Sequence, residues 1–270
     1  MTAALCVSTK RKHSASPTGR RCRHSRCRRT ARRLWPAKRA LPAASQAQEY
    51  PSLKPIRLIV PFAPGGFVDF TVRLVAPPLA QAMGQQFVVD NRPGAGGIVG
   101  AEFAARSTPD GYTLIIGSAG THSVNQSLYP KLPYNVLRDF IPVVRLTDAP
   151  SILTVHPSLP VKSVKDLITL ARKQPGQVNY ASAGAGTSTH LAAVLFESIA
   201  QVKMSHIAFK GGGPAVVSVL SGETPVTFAT AASVAPHISS GRLRAIAVTS
   251  TRRASELPDV PTLAESGFSA

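Results

Sequence analysis

The feature that most constrains this chain is a repeated alternation of a short β-rich run, a glycine-rich turn and a helical pattern. Residues 56–60 form the first apolar run, residues 63–66 read Ala-Pro-Gly-Gly, and residues 69–83 carry a helical apolar stripe. Within that stripe, Pro77 and Pro78 are expected to kink or interrupt the helix. The same order recurs through residues 87–105 and 112–120. Such alternation predicts a parallel sheet covered by helices.

A second set of strands and helices starts near residues 149–155. Residues 152–155 read as a strand, and Ser163 with Asp166 resembles a helix N-cap with an acid at the third helical position. We therefore predict two α/β lobes, with residues 49–149 in lobe one and residues 150–270 in lobe two. Residues 1–48 are predicted to be a disordered basic tail or a degraded signal region.

The charge of the chain is concentrated in that tail. The formal net charge is +18, but residues 1–47 hold thirteen Lys and Arg and no acidic residue. The rest is only mildly basic, so the charge does not by itself indicate nucleic-acid binding. Three interpretations of the tail remain open: a solvated basic segment, a nucleic-acid arm, and a damaged export signal with a cut before Gln48.

The sequence lacks the familiar motifs of catalysis and metal binding. It has no G-x-S-x-G nucleophile motif, no phosphate-binding G-x-x-x-x-G-K-[ST] loop and no H-E-x-x-H pair. All three cysteines precede residue 28, and the five histidines of the body lack metal-ligand spacing. We therefore expect no catalytic residues, no metal and no cofactor.

Four loops rich in Gly, Ser and Thr instead follow predicted strands and precede predicted helices. They span residues 63–67, 117–121, 182–188 and 210–213. Such loops place free backbone N–H groups beside the positive end of a helix, where a carboxylate is favoured. The alternative is that they are ordinary strand-to-helix turns.

Several longer motifs resemble those of the tripartite tricarboxylate transporter substrate-binding proteins, also called the Bug (Bordetella uptake gene) family. The similarity covers about residues 50–268. Its motifs are PIRLIVPFAPGG with Asp69, NRPGAGG, PDGYTL, NYAS with GAGTSTHLA, KGGGPA, LRAIAVTS and LPDVPT.

This resemblance implies a two-lobed, type II-like periplasmic binding protein without enzymatic activity. It would capture a small carboxylate between the lobes and deliver it, as a monomer, to a two-subunit membrane permease. No nucleic-acid partner is expected. The residues expected to bind the ligand are Phe62, Ala63, Pro64, Gly65, Gly66, Phe67, Asp69, Ser118, Thr121, Ala183, Gly184, Thr187, Ser188, Lys210 and Gly211.

The sequence differs from the family pattern in three respects. The export signal looks degraded, and the C-terminal return to lobe one looks truncated, which should leave apolar surface exposed on that lobe. Phe67 stands where the family often has a small or polar residue, which favours a bulkier, more apolar ligand. The rival functions are an enzyme acting on a small acidic metabolite, with His190 or Asp69 as base, and a non-functional fragment.

Overall fold

The computed structural model describes residues 2–8 and 50–268, which form two lobes around two five-stranded sheets. A cut before Gln48 and a nucleic-acid arm both concern residues 9–49, which lie outside the described residues. Within the described residues, no helix has the length and apolar character needed to cross a membrane. Nor do those residues bring together three or more side chains suited to hold a metal ion.

Lobe one is built on a sheet with the strand order β3-β2-β4-β1-β5. Its strands are β1 (Thr2–Ser8), β2 (Ile56–Val60), β3 (Phe87–Asn91), β4 (Thr113–Ser118) and β5 (Phe140–Asp148).

The helices of lobe one connect and cover these strands. They are α1 (Phe67–Met83), α2 (Ile98–Arg106), α3 (Asn125–Leu128) and α4 (Val136–Asp139), with a 3-10 turn at Ala95–Gly97 and a π-helical turn at Gly120–Val124.

Helix α1 continues through Pro77 and Pro78, so the expected interruption is wrong. Both prolines are exposed, as are Arg73 and Leu74 four residues before them. The carbonyl groups that lose a helical N–H partner therefore lie on the solvent side, where water can satisfy them.

Lobe two has the strand order β10-β6-β9-β7-β8. Along the chain its elements are β6 (Ser151–Val155), α5 (Val164–Lys173), β7 (Asn179–Ser182), α6 (Ser188–Ala200), β8 (Ser205–Ala208), α7 (Gly212–Leu220), β9 (Val226–Thr230), α8 (Ala231–Ser239) and β10 (Arg244–Val248). The Ser163 side chain accepts a hydrogen bond from the Asp166 N–H, as the capping pattern predicts.

Both sheets are mixed, which corrects the prediction of parallel sheets. The pairs β2–β3 and β2–β4 are parallel in lobe one, and β7–β8 and β7–β9 are parallel in lobe two. Strand β1 runs antiparallel to β4 and β5, and β6 runs antiparallel to β9 and β10. The sequence signal for alternating strands and helices is local and cannot report where a distant strand inserts.

Within the predicted basic tail or signal region of residues 1–48, the structure describes residues 2–8, and these differ from the expectation of disorder. Residues 2–8 form an interior strand, in which Leu5 pairs with Ile116 on one side and Val144 on the other. The side chains of Ala3, Leu5 and Cys6 are buried in the lobe-one core. Burial raises the pKa of the free Cys6 thiol to about 11, so that thiol is unreactive at neutral pH.

The edge strand β5 exposes apolar side chains on lobe one. Ile141, Val143 and Val144 are each at least half exposed. By contrast, all five residues of β6 and all five of β9 are buried, because both strands lie inside the lobe-two sheet.

Candidate functional site

A small cavity of about 30 Å³ lies between the two lobes and is lined by residues from both. Lobe one supplies the end of the loop after β2 and the start of α1. Lobe two supplies the starts of α6, α7 and α8 together with β9. The lining residues are Phe62, Gly66, Phe67, Val68, Ala183, Thr189, Gly212, Ala215, Thr227, Ala229, Thr230 and Ser233.

Four helices begin at or beside this cavity. Their N-caps are Gly66 for α1, Thr187 for α6, Gly211 for α7 and Thr230 for α8. In this described part of the chain, none of those four N-caps makes a side-chain capping hydrogen bond. First-turn N–H groups have no partner inside their own helix and carry the positive end of the helix dipole. The cavity is therefore suited to an anion.

The lobes meet through glycine-rich backbone. The Ala63 N–H donates to the Lys210 carbonyl oxygen across the interface at 2.9 Å. A Cβ added at Gly66 would lie 3.2 Å from the Gly212 nitrogen, and one at Gly213 would collide with the Pro64 carbonyl oxygen. Glycine at these positions is what allows the two lobes to approach this closely.

The loop of lobe one is anchored by Asp69, a buried residue in the first turn of α1. Its carboxylate accepts hydrogen bonds from the Gly65 N–H at 3.0 Å, Arg73 Nε at 3.0 Å and Asn91 Nδ2 at 2.9 Å. Burial opposes ionisation, but the hydrogen bonds from Arg73, Gly65 and Asn91 outweigh it and hold the Asp69 pKa below its usual value. Asp69 thus positions the loop and does not line the cavity.

The facing loop of lobe two, residues 182–189, is held by hydroxyl groups. Thr187 Oγ1 donates to the Gly184 carbonyl at 2.6 Å, and the Ala183 N–H donates to Thr189 Oγ1 at 2.9 Å. The Gly184 N–H donates to Ser182 Oγ at 3.1 Å. These bonds close the loop on itself and fix its backbone against lobe one.

Two stacked histidines support the same loop from behind. The rings of His190 and His206 lie 4.1 Å apart between centroids. His190 Nδ1 accepts from the Gly186 N–H at 3.2 Å, and His206 Nε2 contacts Ser182 Oγ at 2.6 Å. Burial lowers the pKa of both histidines, and burial together with the neighbouring His190 lowers that of His206 to about 4. Both rings are therefore neutral at pH 7, and His190 acts as a hydrogen-bond acceptor.

The structure separates the predicted binding residues into groups. Phe62, Gly66, Phe67 and Ala183 line the cavity. The other expected residues of these segments lie behind or beside the cavity, Asp69 in the first turn of α1 and the rest in loops: Ala63, Pro64, Gly65, Asp69, Gly184, Thr187, Lys210 and Gly211. The Lys210 side chain is exposed, and its backbone carbonyl makes the contact between lobes.

Three predicted residues lie elsewhere. Ser118 lines a second cavity beside Cys6 and His122, and Ser188 lines a third on lobe two. Thr121 is fully buried, where its Oγ1 accepts from the Ser118 N–H at 3.0 Å and contacts His122 Nδ1 at 2.8 Å. These hydroxyls brace their own loop, because the strand-to-helix turn folds back on itself.

The prediction missed eight cavity residues. Four of them lie at the junction of β9 and α8, which the sequence analysis does not identify. A small-residue segment, Ala-Thr-Ala-Ala-Ser, spans that junction and was the available signal. The missed residues are Val68, Thr189, Gly212, Ala215, Thr227, Ala229, Thr230 and Ser233.

Two α/β lobes with a cavity between them define the fold of a two-lobed periplasmic solute-binding protein. Residues 71–270 match the model of the tripartite tricarboxylate transporter family receptor (TctC), and the chain belongs to that family. Its family and fold are those of solute receptors and not of enzymes. The resemblance deduced from the sequence motifs is thereby confirmed.

Known proteins resemble the chain over most of its length. A protein of Pseudomonas sp. strain P51, named "UPF0065 protein in tcbD-tcbE intergenic region", is 40% identical over 222 residues, which is 82% of this chain and 66% of that protein. The chain therefore spans about two thirds of the length of that relative.

Two solved structures show the same fold. Rpa4515 of R. palustris, solved with adipate, is 36% identical with a TM-score of 0.78, covering 81% of this chain and 73% of its own. The periplasmic binding protein BugD is 32% identical with a TM-score of 0.78, covering 82% and 73%.

Proposed function

We propose that this protein is an extracytoplasmic solute-binding protein that captures a small carboxylate between its lobes. The observation that carries the proposal is the convergence of four helix N-termini on one cavity between the lobes. Backbone N–H groups and helix dipoles favour an anionic group there without any lysine or arginine. The adipate found with the related Rpa4515 protein agrees with this chemistry.

The bound solute is delivered to a two-subunit membrane permease of the tripartite tricarboxylate type, and the receptor acts as a periplasmic monomer. Family membership and the periplasmic relative BugD support this part of the proposal. Uptake of labelled solute into vesicles that contain such a permease should require this protein.

The rival proposal of an enzyme is disfavoured by the positions of its two candidate bases. Neither Asp69 nor His190 lines the cavity, and both are occupied in positioning loops. Incubation of the purified protein with bound carboxylates should return them unchanged by NMR.

A thermal-shift panel of small carboxylates tests the proposal directly. A carboxylate present at ~100 times its dissociation constant should stabilise the full chain by about 2.7 kcal/mol. Gly213→Ala should reduce that stabilisation strongly, because the added Cβ collides with the Pro64 carbonyl and holds the lobes apart. Val217→Ala, on the exposed face of the same helix, is the matched control. Absence of stabilisation by every carboxylate would contradict the proposal.

A further inference from the structure

The cavity between the lobes is notable for carrying no charge of its own. Among the described residues that line it there is no Asp, Glu, Lys, Arg or His. A ligand carboxylate must therefore be stabilised mainly by backbone N–H groups and helix dipoles. Any second carboxylate enclosed there would have no oppositely charged side chain to offset its loss of hydration.

The hydroxyl groups in the cavity wall add little free hydrogen-bonding capacity. Thr189 Oγ1 accepts from the Ala183 N–H, and Thr227 Oγ1 donates to the Ala181 carbonyl at 3.0 Å. Thr230 Oγ1 and Ser233 Oγ are hydrogen-bonded to each other at 3.0 Å. The bond between Thr230 and Ser233 uses only one of their two O–H groups, so the donors left for a ligand are the N–H groups at the helix starts and one hydroxyl of this pair.

The rest of the wall is apolar and is concentrated on lobe one. Phe62, Phe67 and Val68 present aromatic and aliphatic surface to the cavity, and each is buried. Ala183, Ala215 and Ala229 extend this apolar surface on lobe two. An apolar ligand body gains free energy by leaving water for such a wall, whereas a charged one loses it.

We infer that the cavity selects small monocarboxylates with an apolar body over di- and tricarboxylates, and that Phe67 is the main residue setting this preference. The inference rests on the proposed function, because it specifies which carboxylates the same cavity accepts. Phe67 is singled out because it belongs to the first turn of α1, so that its side chain forms the apolar wall directly beside the helix start.

Hexanoate and adipate make the sharpest pair of probes, because they differ only in whether the far end is a methyl group or a second carboxylate. Isothermal titration of the full chain at pH 7 should give a dissociation constant at least about tenfold lower for hexanoate, a difference of ~1.4 kcal/mol. Phe67→Ser should weaken hexanoate binding and narrow the ratio of the two dissociation constants.

Leu74→Ser is the matched control, since Leu74 lies on the exposed face of the same helix and should change neither affinity. The comparison in the unaltered protein does not depend on whether Phe67→Ser folds. Binding of adipate as tightly as hexanoate would overturn this inference and leave the proposed function intact. Binding of neither these two nor any other carboxylate would overturn both.

Discussion

The two lobes have similar five-stranded sheets, but the strands come from different parts of the chain. All five strands of lobe two come from the continuous stretch of residues 151–248. Lobe one takes four strands from residues 56–148 and inserts β1, from residues 2–8, between β4 and β5. The interior of its sheet therefore depends on contacts between segments far apart in sequence, such as Leu5 with Ile116. Forming such contacts requires the closure of a long loop, so lobe one should be the less autonomous half.

Removing residues 2–8 is expected to have the largest effect and to fall on lobe one. It would expose the facing edges of β4 and β5 and remove buried side chains such as Leu5. We expect a loss of more than ~4 kcal/mol in the free energy of unfolding of lobe one. Hydrogen exchange measured by mass spectrometry should show faster exchange throughout lobe one, most strongly in residues 113–118 and 140–148, and no change in lobe two. Unchanged protection there would contradict the role given to β1.

Phe228→Ala should produce the next largest effect, in lobe two. Phe228 is fully buried in β9, and its ring lies 5.7 Å from that of Phe196. Truncation should cost about 3–5 kcal/mol of unfolding free energy. The control Phe70→Ala, at an exposed position of α1, should stay within about 0.5 kcal/mol. Chemical denaturation measures both, and equal midpoints for the two variants would argue against the assigned core.

Acidification should weaken both lobes over the same pH range. Burial lowers the pKa of His122 in lobe one to about 4, and burial with the nearby His190 lowers that of His206 in lobe two to about 4. The unfolded chain, with histidine pKa values near 6.5, binds more protons in this range. Stability is therefore fully present above pH 6.5 and is lost as the pH falls towards 4.

The loss attributable to His122 should be no more than about 2 kcal/mol at pH 5. Denaturation midpoints at pH 7, 6 and 5 measure it. His206→Gln should flatten the pH dependence of hydrogen-exchange protection in residues 182–189 and leave that of lobe one unchanged. An identical slope in this variant would contradict the assignment to His206.

Removing the side chain that anchors each of the two facing loops should lower the free energy of unfolding by different amounts. Asp69→Asn removes a charged acceptor of three hydrogen bonds in lobe one and should cost about 2 kcal/mol. Thr187→Val removes a neutral hydroxyl bond to Gly184 in lobe two and should cost about 1 kcal/mol. Thr169→Val, on an exposed part of α5, is the control for the second variant. Equal losses for the two anchors would show that charge does not distinguish them.

The sequence predicted best what is encoded locally. The strand-turn-helix repeats and the Ser163 cap follow from short-range patterns, and the structure shows both. The sequence did not predict the features that depend on packing between distant segments. The strand β1 was not predicted because its few apolar residues directly precede a strongly basic stretch. The antiparallel pairing of β1 in lobe one depends on insertion of this distant segment. The β9–α8 junction was missed because Ala-Thr-Ala-Ala-Ser lacks the glycines that marked the other loops.

A crystal structure of the full chain with hexanoate would test the central claim most directly. The account predicts the carboxylate between the lobes, within hydrogen-bonding distance of backbone N–H groups in the first turns of α1, α7 or α8, and the alkyl chain against Phe67. A ligand bound outside this cavity, or held there by a charged side chain, would contradict it.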